Sequence, residues 1–206
     1  MKNQPNAREA LERLKLGNLR FLSTIEKSES YPSKVRCNEL SIVQQPFAII
    51  LGCSDARVPA EIVFDQGLGE LFVIRVAGNI VSPSQIGSVE FAAEHFGTEL
   101  VVVLGHTLCG AVRATIDAVL NSEDCSPNLC SIVDRIRPTI LTLRATELGT
   151  DTDKLLALAT RANVRNSVVH LRHGSKILED LIENNQLLIV GAEYSLKTGE
   201  VDFFDC

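Results

Sequence analysis

The stretch "AIILGCSDAR" (residues 48–57) begins as a run of apolar side chains and ends on a thiol, a carboxylate and a guanidinium at Cys53, Asp55 and Arg57. A second stretch, "LVVVLGHTLCGAV" (100–112), repeats the pattern: an apolar run passes through Gly105 and ends on His106 and Cys109. Runs this short, apolar and continuous read as strands buried on both faces, as in a parallel sheet. Reactive side chains just beyond such strands are costly to leave unpaired in the interior, so each end needs a partner. The question for the fold is whether the two ends meet.

The flanking sequence alternates strands with helices. "PFAIILGCS" predicts the first strand, "PAEIVFD" a short helical turn, and "ELFVIRVAG" the second strand. "SPSQIGSVEFAAEHFG" predicts a helix, with Ser82 as its N-cap and Pro83 in the first turn, where a missing N–H costs nothing. "ELVVVLGH" is the third strand and "CGAVRATIDAVLN" the helix after it. Helical sequence then runs from about 131 to 184, interrupted near "LGTDTDK" and His173-Gly174. "QLLIVGAEYSL" is the fourth strand, and "KTGE" reads as a turn returning "VDFF" antiparallel along an edge. The fold class expected is α/β: a mostly parallel sheet of order about 2-1-3-4, with an antiparallel fifth edge strand and helices on both faces. Ligands of such sheets bind beyond the carboxyl ends of the strands where the order reverses, between strands one and three.

Before the first strand, residues 7–24 predict a helix with one apolar stripe through Leu11, Leu14, Leu19 or Asn18, Leu22 and Ile25. "NELSIVQQ" predicts a further short helix ahead of Pro46. The 206 residues read as a single domain (1–206), with residues 1–45 forming a helical arm whose stripe must be buried against its own body or a partner subunit. A net charge of −6 with no long basic run argues against a nucleic-acid surface. No apolar run approaches the ~20 residues that span a bilayer, and the N-terminus lacks the apolar core of a secretory signal, so the expected location is cytoplasmic.

Six cysteines at 37, 53, 109, 125, 130 and 206 follow no regular spacing. A chain of this length has its own core, so a disulfide scaffold is not expected. Cys37, Cys125, Cys130 and Cys206 read as core or loop residues rather than a redox switch. His106 and Cys109, three apart at the start of a helix, suit one metal centre, and Cys53 from the neighbouring strand end completes a Cys₂His set. Thiolate with imidazole favours zinc over magnesium, calcium or manganese, and three protein ligands leave a fourth position open. A buried packing role, or a Cys53–Cys109 redox pair, is the competing reading. Asp55 and Arg57 read as a charge-assisted pair, either structural or placed to act beside the metal. "GLGELF" is faintly glycine-rich, but it precedes a strand instead of opening a helix, which argues against a nucleotide site.

The order C-x-D-x-R and, some fifty residues later, H-x-x-C resembles the β-class carbonic anhydrases. "CSDAR" (53–57), "FDQGLGELFVIRVAGN" (64–79), "GHTLCGAV" (105–112), "NVRNSVVHLRHGSKIL" (163–178) and "IVGAEYSLKTGEVDFF" (189–204) carry the likeness, which spans nearly the whole chain. The resemblance implies one zinc ion per chain on Cys53, His106 and Cys109, with Asp55 and Arg57 as the catalytic dyad and Asp55 as a possible fourth ligand in a closed state. It implies reversible hydration of carbon dioxide to bicarbonate and a proton by zinc-bound hydroxide. It also implies a homodimer or dimer of dimers, with the N-terminal helical arm (1–45) packed on the neighbouring subunit and substrate pockets at the subunit interface. Matched by position, Gln44 would help hold substrate, Phe72 and Phe91 would wall the pocket, and Gly110 follows the last ligand.

Three positions depart from the family pattern. Phe91 stands where plant-like members have Tyr, and Ala56 replaces a common Ser. Ile50 occupies the Trp position of a bicarbonate pocket whose Arg and Tyr match Arg75 and Tyr194, so that inhibitory pocket is not expected and an open zinc is. His95, His170 and His173 read as surface residues, and no proton relay is assigned. Hydrolysis of carbonyl sulfide or carbon disulfide on the same scaffold, or a non-enzymatic zinc-stabilised assembly role, are the alternatives; the intact Asp55–Arg57 pair counts against the second.

Overall fold

The computed structural model describes residues 5–26, 44–121, 125–146 and 151–204. Helix α1 (Ala7–Glu26) leads to β1 (Ala48–Gly52), a short helix α2 (Ala60–Val63) and β2 (Leu71–Arg75). A 3₁₀ turn (Ala77–Asn79) and α3 (Pro83–Phe96) precede β3 (Leu100–His106). The helices α4 (Gly110–Asn121), α5 (Pro127–Arg144), α6 (Thr152–His173) and α7 (Lys176–Glu183) follow, then β4 (Leu188–Tyr194) and β5 (Val201–Phe204). The five strands form one sheet of order β2-β1-β3-β4-β5. All pairs are parallel except β4 with β5, as the strand patterns predict.

Every residue of β1 and of β3 is buried, which is why both read as unbroken apolar runs. Alternate residues serve opposite faces. Ile50, Val102, Leu104 and Val190 join one core with Leu11, Leu14 and Phe64. Ile49, Leu51, Val101, Val103 and Ile189 join the other with Val89 of α3 and Val164, Val168 and Leu171 of α6. A third cluster caps the carboxyl end of the sheet: Cys53 and Cys109 lie among Val112 and Ile116 of α4, Ile136 and Ile140 of α5, and Leu155 of α6.

The α1 stripe differs in its residues from the one expected. It runs through Ala10, Leu11, Leu14 and Asn18, whereas Leu19 is exposed; the side chain of Ile25 lies outside the described residues. Ala10, Leu11 and Leu14 lie against this chain's own sheet. Asn18 Nδ2 donates to the carbonyls of Val63 and Gly199, and its Oδ1 accepts from the Val201 N–H, each at 3.0 Å. A side chain at Gly17 would sit 1.8 Å from the Phe64 carbonyl, so only glycine allows this approach. Most of the short helix expected over 38–45, together with Cys37 and Cys206, lies outside the described residues, while Gln44 is described and exposed.

The cysteine reading needs a second correction. Cys125 and Cys130 form a disulfide with Cα atoms 5.5 Å apart. Ser126 caps α5 by accepting from the Leu129 N–H, and this first turn carries Cys130 back over Cys125, within bridging range.

Candidate metal centre

The parallel register sets the site. Gly52 of β1 stands between Arg75 of β2 and Leu104 of β3, so Cys53 leaves the sheet beside the end of β3, where His106 sits two residues beyond Leu104. This is the point where strand order reverses. After His106 the chain turns through Leu108, a non-glycine residue at φ 57, and enters α4 directly after Cys109. That tight, left-handed turn brings the Cys109 thiol back toward the His106 ring.

The ligand atoms of Cys53, His106 and Cys109 lie within 4.8 Å of one another, and all three residues are buried. The His106 Nδ1 lies 2.9 Å from the Thr107 carbonyl, which fixes the N–H on Nδ1. Its Nε2 is buried and has no hydrogen-bond partner, so its lone pair faces the two sulfurs. A buried, unpaired imidazole nitrogen beside two thiols is the donor set a zinc ion would satisfy, since tetrahedral bonds of ~2.0–2.3 Å hold such atoms roughly 3.5–4 Å apart. Both cysteines are free thiols, so the Cys53–Cys109 redox pair is not formed.

The electrostatics favour a cation at this point. Cys53 is held well below the usual thiol range, chiefly by sharing the Cys109 proton, with help from His106 and from the backbone N–H groups of Gly78 and Asp55. The same shared proton, together with burial, pushes Cys109 up. Burial pushes the His106 imidazole down, but the Cys53 sulfur, the Thr107 carbonyl and Asp55 outweigh it, and the net direction is up.

Asp55 and Arg57 meet as the sequence predicts. Past Gly52 the chain leaves extended geometry, and Asp55 Oδ1 accepts both the Arg57 backbone N–H at 3.0 Å and its Nε at 2.9 Å. Arg57 Nη2 reaches Oδ2 at 2.7 Å, giving a bidentate pair. Asp55 Oδ2 lies 3.8 Å from His106 Nε2, so the carboxylate overlooks the ligand cluster while committed to Arg57. The Arg57 guanidinium holds the Asp55 carboxyl well below the usual carboxylate range, against partial burial. The Arg57 side chain is 57% exposed, which corrects the expectation of two charges buried at a strand end.

The remaining expected residues divide. Gly110 opens α4 beside Cys109, with open space where a side chain would stand. Phe72 pairs with Ile49, three residues before the end of β2, about 10 Å back along the strand. Its ring meets those of Phe91 (6.2 Å) and Phe96 (6.0 Å), and Phe91 stacks on His95 at 4.9 Å. Gln44 precedes β1 at the opposite end of the sheet. These three therefore do not join the metal ligands within one chain. His95, His170 and His173 are exposed, as expected.

Two supports escaped the sequence reading. Arg75 donates through Nε to the Cys53 carbonyl at 2.9 Å and through Nη2 to that of Asp55, clamping the loop that carries both residues. Gly78 donates its N–H to Cys53 Sγ at 3.3 Å. The dipeptide Gly78-Asn79, three residues past the end of β2, was the available signal, since it marks a turn.

Comparison with known proteins agrees with this geometry. A family model described as carbonic anhydrase matches residues 48–201. A carbonic anhydrase of Mycolicibacterium smegmatis is 37% identical over 193 residues, covering 94% of this chain and 91% of its own. Carbonic anhydrase 2 of Mycobacterium tuberculosis is 36% identical over 190 residues, covering 92% and 89%. Among solved structures, a tetrameric β-carbonic anhydrase of Sordaria macrospora superposes with a TM-score of 0.74 at 22% identity, covering 91% of this chain and 95% of its own.

Proposed function

The chain belongs to the β-class carbonic anhydrase family, and from that premise we propose that it hydrates carbon dioxide reversibly to bicarbonate and a proton, using one zinc ion held by Cys53, His106 and Cys109. The observation that carries the reading is the buried, unpaired His106 Nε2 facing two thiols and the Asp55 carboxylate. When bound, zinc supplies a Lewis acid that brings the ionisation of water down toward about 7, and two thiolates, by neutralising the dication, keep that midpoint above what three imidazoles give.

The chain's own residues do the rest. Asp55, kept ionised by Arg57, accepts a hydrogen bond from the attacking water and so aims its lone pair at the carbon of carbon dioxide. Because Asp55 is bidentate with Arg57, it is withheld from the three ligand side chains, and a zinc ion held by them would be left free for substrate chemistry. Gly110, without a side chain, leaves room beside Cys109. Gln44, Phe72 and Phe91 serve the pocket from a second copy of the chain, which makes the working unit a homodimer at least. The tetrameric Sordaria relative supports pairing of such dimers. Residues 1–206 act as one catalytic domain, and the expected setting is the cytoplasm; no described helix is long and apolar enough to cross a membrane.

The test is stopped-flow hydration of carbon dioxide by protein of measured zinc content, beside hydrolysis of carbonyl sulfide. The expected result is hydration in proportion to zinc, rising with pH through a midpoint above 7, and faster than carbonyl sulfide turnover. Hydration that persists after complete removal of metal would overturn the reading.

A further inference from the structure

The turn Ala77–Asn79 runs directly behind the metal ligands, and α6 holds it from the far side. Gly78 has φ 70, and Asn79, though not glycine, has φ 43. Two successive residues in the left-handed region persist only where their surroundings impose it. Part of that constraint is steric: a Cβ on Gly78 would meet Ile136 Cδ1 at 2.8 Å and Ala111 Cβ at 3.1 Å. The rest is polar. The Asn79 N–H donates to the Val76 carbonyl at 3.0 Å. Asn163 Nδ2 donates to the Gly78 carbonyl at 2.8 Å, and Ser167 Oγ donates to the Asn79 carbonyl at 2.9 Å.

Asn163 and Ser167 lie one helical turn apart on a face of α6 otherwise built from Val164, Val168 and Leu171, and they are 1% and 3% exposed. Polar side chains buried on an apolar helix face are costly unless each finds a partner. Here both find the same turn. Neither touches a metal ligand, so neither is a catalytic residue.

We propose that Asn163, seconded by Ser167, is a positioning residue of the metal centre: by holding the Gly78 carbonyl it keeps the Gly78 N–H aimed at the sulfur of Cys53. Glycine has no side chain to resist rotation about φ and ψ, so the direction of that N–H depends on what grips the neighbouring carbonyl. An amide N–H on a thiolate draws charge from the sulfur and fixes the direction of its free lone pairs. Both effects tune the bond that sulfur makes to a metal, as hydrogen bonds to metal ligands generally do. The inference rests on the reading of Cys53, His106 and Cys109 as zinc ligands.

Two measurements on the full chain test it: the rate at which a chelator strips zinc, and the sulfur-to-cobalt charge-transfer bands of the cobalt-substituted protein. Asn163→Ala should lose zinc about 10-fold faster and shift the bands to lower energy, because the sulfur regains charge. Ser167→Ala should do the same to a smaller degree, and it carries the test if Asn163→Ala does not fold. Val168→Ala weakens the same helix without touching the turn, and it should leave both readouts at wild-type values. Unmoved bands and zinc release in a folded Asn163→Ala, or in Ser167→Ala where that variant carries the test, would overturn the positioning role, as would an equal change in Val168→Ala. Wild-type protein showing no sulfur-to-cobalt bands would instead overturn the metal assignment itself.

Discussion

The two ends of the sheet differ in how complete they are. At the carboxyl end one chain brings together three side chains able to hold a metal, a carboxylate and its arginine, with backbone hydrogen bonds at Cys53, Asp55 and His106. Toward the amino end lie Gln44, Phe72 and Phe91, apart from those side chains. Phe91 is 49% exposed, a large apolar ring beside an aromatic cluster on the edge strand β2. The contrast teaches that the candidate metal cluster is assembled within one chain, whereas the pocket proposed above needs a second copy. A parallel sheet enforces this, because all of its strands end together and its starts lie a strand length away.

The sharpest way to break the comparison is at the self-contained end. Cys53→Ser or His106→Ala should each abolish zinc retention and reduce hydration to background, read by metal content and stopped flow together. An active, zinc-replete His106→Ala would remove the carboxyl-end site altogether. Next in size, Asp55→Asn should keep its zinc but lower turnover about 10²–10³-fold, the scale of losing one oriented polar group at the reacting atoms. Unchanged turnover would reduce the Asp55–Arg57 pair to a structural one.

The shared end calls for a mixing experiment. His106→Ala and Gln44→Ala chains, each poorly active alone, should regain activity when unfolded and refolded together. In a mixed dimer, the Gln44→Ala chain supplies intact ligands and the His106→Ala chain supplies intact Gln44. Random pairing makes about half of the dimers mixed, with one good site in two, so roughly a quarter of wild-type activity should return. No recovery would place Gln44 outside a shared pocket.

The smallest effects concern stability. Arg57→Ala should change stability little, because the guanidinium is largely in water. A denaturant titration checks this, and a larger loss would mean that Arg57 is buried against a second copy. The folded Asp55 carboxyl titrates below its unfolded value, so its contribution to stability is complete above the ordinary carboxylate range and fades as pH falls below about 4. The stability gap between wild type and Asp55→Asn should therefore be flat from neutral pH to about 5 and close in stronger acid, as thermal melts across pH would show.

Much of this was legible in the chain. The unbroken apolar runs of β1 and β3 announce strands covered on both faces, and their reactive ends follow from the spacing of Cys53, Asp55, His106 and Cys109. The α1 stripe was legible as a stripe but not as to its target, because periodicity shows that a face is apolar and not what lies against it. Leu19 and Asn18 could not be told apart by spacing; the partners of the Asn18 amide, Val63 and Gly199, are far away in the chain. The Cys125–Cys130 bridge escaped for a similar reason, since it depends on how the first turn of α5 is capped.

The sequence by itself determined the strand and helix order, the ligand types and the acid–arginine pair, because these are set by residues near one another in the chain and by local periodicity. Only the tertiary structure decided that α1 serves its own sheet, that Arg57 faces solvent, and that Asn163 and Ser167 grip the turn behind Cys53. The first and last of those outcomes depend on contacts between residues 45 to 181 positions apart, whose distances are fixed by packing and by the need to pair every buried polar group.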